Sequence, residues 1–580
     1  MFRAVELHSS EKCPNIYLLY CSSSTNAIVS NMEIYINEYK CYINASIASE
    51  ISKLIRQKIK NGEADFNFNL NDVSSSCDNE TFEHSISYFK TCDVNQAIPH
   101  LVMSVFCGHP VDITTENFRF LYLFSKFFDI QKLFEIVTEF SKIYELEFLA
   151  QIEEKIFALS QENTDETIEF LIQVLKASDI YTIVHIFKSA VSSRFKNVEV
   201  FTEFVIKFSE LFSKKHNINE EKSILNLYIN DKKDKSIQKN FFLNYYKSLV
   251  NNYDCNNSNN TNNQNEINEE EDKEEINQLP ILNIIENDDI DAFQAISSQP
   301  NYSFKDEIYS SKNDRIGVTG NWLQIAILMG SKNIFKHILM NFLDASLGHN
   351  IDYFKYAIMS GDIEIIHLCE NNKYLAPSID KHVLIQYFYL SIQYHHWEIT
   401  EWLLEKKANI DNPVHIFNSC LENGNFRMFL FFYLQKYFKY SKKSHNQYFN
   451  PFPIACRKGY YRLMRWFLKN YSIPIKKLAN TYFYFKAIGS AIEKDYDAFF
   501  FFFNKHNLID LKKSFSKKGN AIHLLIKNNN LDIIKTVCSS DNINDSDISS
   551  ENHSSSFHRN CETDLPYFHT SCYYMNQYVI

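Results

Sequence analysis

Glycine and proline are both scarce, 11 residues of each in a chain of 580. For glycine that is about 2%, against a usual share near 7%. The shortage excludes collagen-like chains, glycine-rich loops and most turn-dense all-β folds. Pattern is missing from the cysteines too: the 13 are scattered singly, with no C-x-x-C. An odd, unpatterned set indicates reduced thiols in an intracellular protein rather than a disulfide framework. The N-terminus, MFRAVELHSSEKC, carries Glu6 and Glu11 and lacks the basic-then-apolar order of a secretory leader. Apolar runs are short. The densest, Phe499 to Phe503, falls far below the ~18 residues a membrane helix needs. A soluble, cytoplasmic protein with no membrane span is the expectation, a nuclear location being compatible with the same features.

Catalytic signatures are missing as well. The chain has no Gly-Lys-Ser/Thr, no G-x-G-x-x-G, no H-E-x-x-H, no G-x-S-x-G and no EF-hand loop. Gly317-Val318-Thr319-Gly320 is an isolated turn, and His395-His396 reads as a pair of turn residues. His553, His558, Cys561, His569 and Cys572 near the end match no zinc-finger spacing. No enzyme, cofactor or metal site is expected.

What the chain does have is apolar and aromatic: 45% hydrophobic residues and 15% aromatics, with 49 Phe and 35 Tyr. This is globular composition with ample core material. The net charge of −11 excludes a uniformly basic nucleic-acid coat. Two stretches break the pattern. Residues 251–278 run from an Asn-rich tract into the acids Glu269, Glu270, Glu271, Asp272, Glu274 and Glu275, the composition of a disordered linker. Residues 539–580 are rich in Ser, Asn and Asp without period and read as a disordered tail.

Elsewhere the periodicity is helical. Leu121 to Phe140 and Glu166 to Phe187 place apolar residues at i, i+3, i+4 and i+7. Before the first of them, Asp112-Ile113-Thr114-Thr115-Glu116 supplies capping residues and early acids.

After the linker the chain repeats. A small residue is followed four positions later by Gly or a substitute, then by a helix with an apolar pair. The units start at Ala326/Gly330, Ala357/Gly361, Ser391/His395, Cys420/Gly424, Ala455/Gly459, Ala491/Asp495 and Leu525/Asn529. Their small-residue positions are separated by 31, 34, 29, 35, 36 and 34 residues, a mean of about 33. A small residue lets the first helix of each unit approach its neighbour, and glycine at the next landmark takes the left-handed turn that reverses the chain. One helix pair cannot cover its own apolar face, so pairs stack into a solenoid.

These units resemble ankyrin repeats. HWEITEWLLEKKANIDN, residues 396–412, resembles a second helix and its turn, with Ala408 and Asn409 where the family has Gly-Ala-Asp. NPFPIACRKGYYRLMRWFLK, residues 450–469, resembles a first helix and turn, and GNAIHLL, from Gly519, keeps a histidine at His523. The resemblance implies a structural, inter-repeat role for His523. ILNIIENDDIDAFQAI, residues 281–296, is similar to a leading cap repeat. His395 and Asp495 depart from the turn glycine, and most T-P-L-H motifs are absent.

The N-terminal part resembles a BTB/POZ domain. It shows a strand and hairpin partner at Glu33 to Tyr42, a helical segment INASIASEISKLIRQKI, Phe106-Cys107-Gly108 closing a helix, a short strand from Val111, and a helix pair at Leu121 to Leu133. Tyr42-Ile43 stands where that family carries a His-Lys pair. The whole order is similar to a divergent, protist-type BTB–ankyrin family. It implies a mainly α chain: 1–140 an α+β BTB-like domain, 141–250 a helical BACK-like extension, 251–278 linker, 281–538 repeats, 539–580 tail.

Charge is unevenly spread. From Asn425 to Asn520 there are 19 Lys and Arg against four acids, a balance of +15 that leaves the remainder at −26. The pairs Lys442-Lys443, Lys476-Lys477, Lys512-Lys513 and Lys517-Lys518 fall between helix pairs, where an ankyrin array carries its partner-binding fingers. A field of this size attracts acidic partners; as a plain alternative it serves solubility. By resemblance the chain is a non-enzymatic scaffold whose repeats select a protein while the BTB-like domain contacts a cullin-type ubiquitin ligase or a second copy. A cytoskeletal anchor without ubiquitin chemistry, or polyanion binding through 425–520, are the other readings, nucleic acid not being the expected partner. The repeat-structural residues are Ala326, Gly330, Ala357, Gly361, Gly424, Ala455, Gly459, Ala491 and His523.

Overall fold

The computed structural model describes residues 16–17, 31–36, 39–62, 65–68, 97–107, 111–194, 198–218, 223–229, 284–299, 321–343, 352–376, 381–406, 413–435, 451–470, 514–516 and 519–520. Linker 251–278, the tail, Gly317 to Gly320, Ala491, His523 and all six candidate lysines lie outside these residues. The described chain is mainly α with small sheets, and it divides into two units, residues 1–148 and 149–580.

The first unit holds a three-stranded sheet ordered β3-β2-β4. Strands β2 (Asn31–Ile36) and β3 (Tyr39–Asn44) are antiparallel, and β4 (Asp65–Phe68) runs parallel to β2. A separate short ladder joins β1 (Ile16–Tyr17) to β5 (Val111–Asp112). Alternation sorts the side chains: Met32, Ile34, Cys41 and Ile43 are buried, while Tyr42 between them is exposed. The single helical segment expected after β3 is two helices, α1 (Ala45–Ile51) and α2 (Lys53–Lys60). Ser52 breaks them by adopting extended backbone; its Oγ donates to Phe128 O and accepts from Ile55 N, capping α2. Helices α3 (Ala97–Cys107) and α4 (Phe118–Phe127) complete an aromatic core with Phe68, Phe106, Phe120, Phe124 and Phe128. Ahead of α4, Thr114 N donates to Asn117 Oδ1 and Asn117 N to Thr114 Oγ1, a closed capping turn. Helix α5 (Gln131–Phe157) contains the division between the units.

The second unit begins with the end of α5 and continues through α6 (Thr164–Val174), a 3₁₀ turn (Ala177–Asp179), α7 (Ile180–Ser193), α8 (Val198–His216) and α9 (Ile224–Ile229). No single described helix is long and apolar enough to cross a membrane. Helix α10 (Ile290–Ser297) then leads five helix pairs. They are α11 (Trp322–Met329) with α12 (Lys332–Asn341), α13 (Tyr353–Ser360) with α14 (Ile363–Glu370), and α15 (Lys381–Gln393) with α16 (Trp397–Glu405). The last two are α17 (Pro413–Asn423) with α18 (Phe426–Leu434) and α19 (Pro451–Lys458) with α20 (Tyr461–Asn470). Each first helix packs on the first helix of the next pair. Beyond them, β6 (Ser514–Ser516) and β7 (Gly519–Asn520) form a short antiparallel ladder.

The turn inside each pair explains the repeated spacing. Gly330, Gly361, His395, Gly424 and Gly459 all have φ between 57° and 75°. In four pairs the residue after this turn donates its N–H five positions back, to the carbonyl of the small residue: Ser331 to Ala326, His396 to Ser391, Asn425 to Cys420, Tyr460 to Ala455. That six-to-one bond closes the helix end. Ala326, Ala357, Ser391, Cys420 and Ala455 are fully buried where the first helices meet.

Candidate functional site

At four of the five left-handed turns the following residue also hydrogen-bonds to a carbonyl of the preceding unit. Ser331 Oγ donates to Ile285 O, His396 Nε2 lies 2.8 Å from Met359 O, Asn425 Nδ2 donates to Ile392 O at 2.8 Å, and Tyr460 Oη donates to Leu421 O at 3.0 Å. Four residue types fill one role, so no consensus letter marks it. The position becomes legible only as the residue following the turn.

His396 illustrates the fit. Its ring lies directly over Gly361, and a Cβ on that glycine would come within 2.3 Å of His396 Cε1. Burial pushes its pKa down from 6.5 to about 4, with the charges of Arg194 and His395 acting in the same direction. The ring is therefore neutral and its Nε2 carries the proton donated to Met359 O.

Along this turn edge the end of α5, the 3₁₀ turn and α7 dock, in a seam held by buried polar groups. Glu153, near the end of α5, is the centre. Its Oε2 accepts from Phe426 N at 2.6 Å and Arg427 N at 2.9 Å, the free amides that open α18. Its Oε1 lies 2.6 Å from His395 Nδ1, and His395 Nε2 lies 3.1 Å from Asn423 O. Both ring nitrogens thus face oxygens, so the ring is held between the Glu153 carboxylate and the Asn423 carbonyl. Phe157 stacks on the other side of His395 at 4.3 Å. A second anchor is Asp179, whose two oxygens receive Arg462 Nε and Nη2. Between them Ser189 Oγ donates to Asn423 O, and the backbone of His185 covers Gly424.

Of the residues singled out from sequence, Ala326, Gly330, Ala357, Gly361, Gly424, Ala455 and Gly459 occupy the turns and the buried first-helix contacts. His395 and His396 sit at a turn, as read, but they also form the seam. Glu153, Asp179 and Arg462 carried no sequence signal. Each resembles any surface charge until its partner, more than 240 residues away, is brought beside it.

Burial pushes the thiols of Cys41 and Cys369 up to about 11 and 12, and those of Cys420 and Cys456 well above the usual range, which suppresses the thiolate. Among the described residues no three His, Cys, Asp or Glu side chains gather as a metal-ligand set. The chain matches no protein-family model, no curated protein and no solved structure.

Proposed function

We propose that this chain is a non-enzymatic interaction scaffold, its ankyrin-type helix pairs selecting a protein partner and its BTB-like N-terminal unit mediating assembly. The observation that carries the reading is the row of five helix pairs, each reversed at a left-handed residue and spaced near 33 residues. Such rows hold a buried spine constant while leaving surface positions free to vary, which suits recognition. The lysine pairs at 442–443, 476–477 and 512–513 make the selected partner acidic. In one form of this role the N-terminal unit recruits a cullin-type ubiquitin ligase, so that the bound partner becomes its substrate.

Proximity labelling with the full chain tests the proposal, because the seam joins residues 153–193 to the repeats and a cut between them would break a compact unit. Enrichment of a recurrent acidic protein together with a cullin is the expected result. An acidic partner without a cullin selects the cytoskeletal anchor instead. Labelling dominated by metabolites' enzymes in sequence, with no acidic partner, contradicts the scaffold.

A further inference from the structure

The seam meets the second helices of the pairs at their N-terminal ends. Its contacts fall on His395 ahead of α16, on the Phe426 and Arg427 amides that open α18, and on Arg462 in the first turn of α20. These helices run side by side, joined by Lys336 to Glu364, Glu370 to Lys406, Trp397 to Phe431 and Tyr433 to Trp466. Their C-terminal ends therefore form a second edge of the array. At about 1.5 Å per residue, the length of α18 puts that edge roughly 13 Å from the seam.

Exposed apolar side chains gather along this second edge. Among the described residues, Met340 at the end of α12 is 75% exposed, Tyr374 just past α14 is 54% exposed, and Leu434, the last residue of α18, is 41% exposed. Single exposed apolar residues are ordinary, but three at equivalent helix ends make a row. Tyr374 is also fixed in place. Leu375 next to it is fully buried, Tyr374 N donates to Asn372 Oδ1, and Leu375 N and Ala376 N donate to Asn372 O. Lys373 Nζ lies over the Tyr374 ring, 4.9 Å from its centroid. A side chain ordered in advance lowers the entropic cost of a contact, and tyrosine in such a setting is a frequent interface anchor.

Charge on this edge selects the occupant. Lys373, Lys406 and Lys469 stand exposed at the helix ends, with Glu370 and Glu405 as the nearby acids in sequence. Glu370 is paired with Lys406, whereas Lys373 has its ring contact and no acid among the described residues. Past α18 and α20 the chain runs on into Lys442-Lys443 and Lys476-Lys477.

We propose that this edge is the partner-binding surface of the array and takes an acidic segment of another protein, its apolar residues seated on Tyr374 and Met340 and its carboxylates facing Lys373. The inference rests on the scaffold reading above and adds the apolar half of the recognition. Met340 and Leu434 lie three pairs apart, about 30 Å at roughly 10 Å per pair, so the bound segment is elongated.

A displayed library of random peptides about twelve residues long, enough to span roughly 30 Å, is selected on the full chain. The expected peptides join Asp or Glu to Leu, Phe or Trp. Tyr374→Ser and Lys373→Glu each weaken a selected peptide by about tenfold or more, and Tyr374→Phe changes its binding little. All three variants melt close to the wild type, because both side chains are exposed. Reversing Lys442, Lys443, Lys476 and Lys477 to Glu slows association of the same peptide and leaves its need for apolar residues intact. Acidic peptides that lack apolar residues, or that bind Tyr374→Ser and Lys373→Glu as tightly as the wild type, overturn this edge and leave the scaffold reading with the lysines alone. Selection of no acidic peptide overturns both readings. Lower melting of Tyr374→Ser and Lys373→Glu alike assigns the two residues to folding and overturns the proposal.

Discussion

Asp179 and Arg462, 283 residues apart in the chain, meet as a two-pronged ion pair, Nε to Oδ1 and Nη2 to Oδ2 at 2.9 Å each. Both side chains are almost wholly buried. Removing one partner strands the other charge out of water, so Arg462→Gln alone should cost about 3–5 kcal/mol in urea unfolding. The pair Asp179→Asn with Arg462→Gln keeps a neutral hydrogen bond and should cost less than either single change. A double-mutant cycle with additive losses would contradict a direct pair.

Gly361 and Gly330 share a left-handed backbone but not a neighbourhood. Gly330→Ala meets nothing nearer than Asp362 Oδ2 at 4.0 Å, so backbone strain of about 1–2 kcal/mol is its whole cost. Gly361→Ala adds a clash with the His396 ring, which is pinned by Met359 O, and should lose about 2 kcal/mol more. Chemical denaturation ranks the two; a reversed order would contradict the ring's placement.

Acid should loosen the second unit through His396. The unfolded ring binds its proton near 6.5 and the folded one near 4, so the unfolded state gains protons first as pH falls. Its contribution is complete above pH 6.5 and is lost progressively between pH 6.5 and 4, up to about 3 kcal/mol. His396→Gln, which still donates to a carbonyl but does not titrate, should flatten that part of the stability profile. Parallel wild-type and variant profiles between pH 7 and 4 would assign the slope to other groups.

Ala455→Glu places a charge at a fully buried first-helix contact and should destabilise on the order of 4 kcal/mol. Lys443→Glu, read from sequence as an exposed finger position, should shift the melting temperature little. Equal shifts would refute the repeat register.

Reversing Lys442, Lys443, Lys476 and Lys477 to Glu removes the steering charge of the +15 segment. Partner association should slow at low salt, and the difference should shrink as ionic strength rises. An unchanged association rate would leave the lysines a solubilising role.

The turns were legible in the sequence because their chemistry is local. A small residue and a left-handed residue four positions later are linked by one six-to-one bond, so both recur at fixed spacing. The seam was illegible because it is not local. Glu153 lies within a long helix, Asp179 in a 3₁₀ turn and Arg462 in a repeat helix, and nothing in their neighbours' identities announces a partner hundreds of residues away. His395 marks the boundary between the two cases. Its departure from glycine was visible, but the reason was not: its ring reaches Glu153, and that contact offsets the strain of φ 57°. The single helix expected after β3 failed at Ser52, whose hydroxyl is claimed by Phe128 O across the fold.

The distance between the two halves of the seam has a consequence during synthesis. Asp179 leaves the ribosome 283 residues ahead of Arg462. At about 5–20 residues per second, the 3₁₀ turn and α7 wait roughly 15–60 s for the surface that will cover them. For most of that interval Glu153 lacks its amides at Phe426 and Arg427, and the face of α7 that will meet α17 and α19 stays bare. Nascent chains stalled before residue 413 therefore display a sticky, acid-bearing helical face, and the burden of keeping them soluble falls on the cell's holding chaperones.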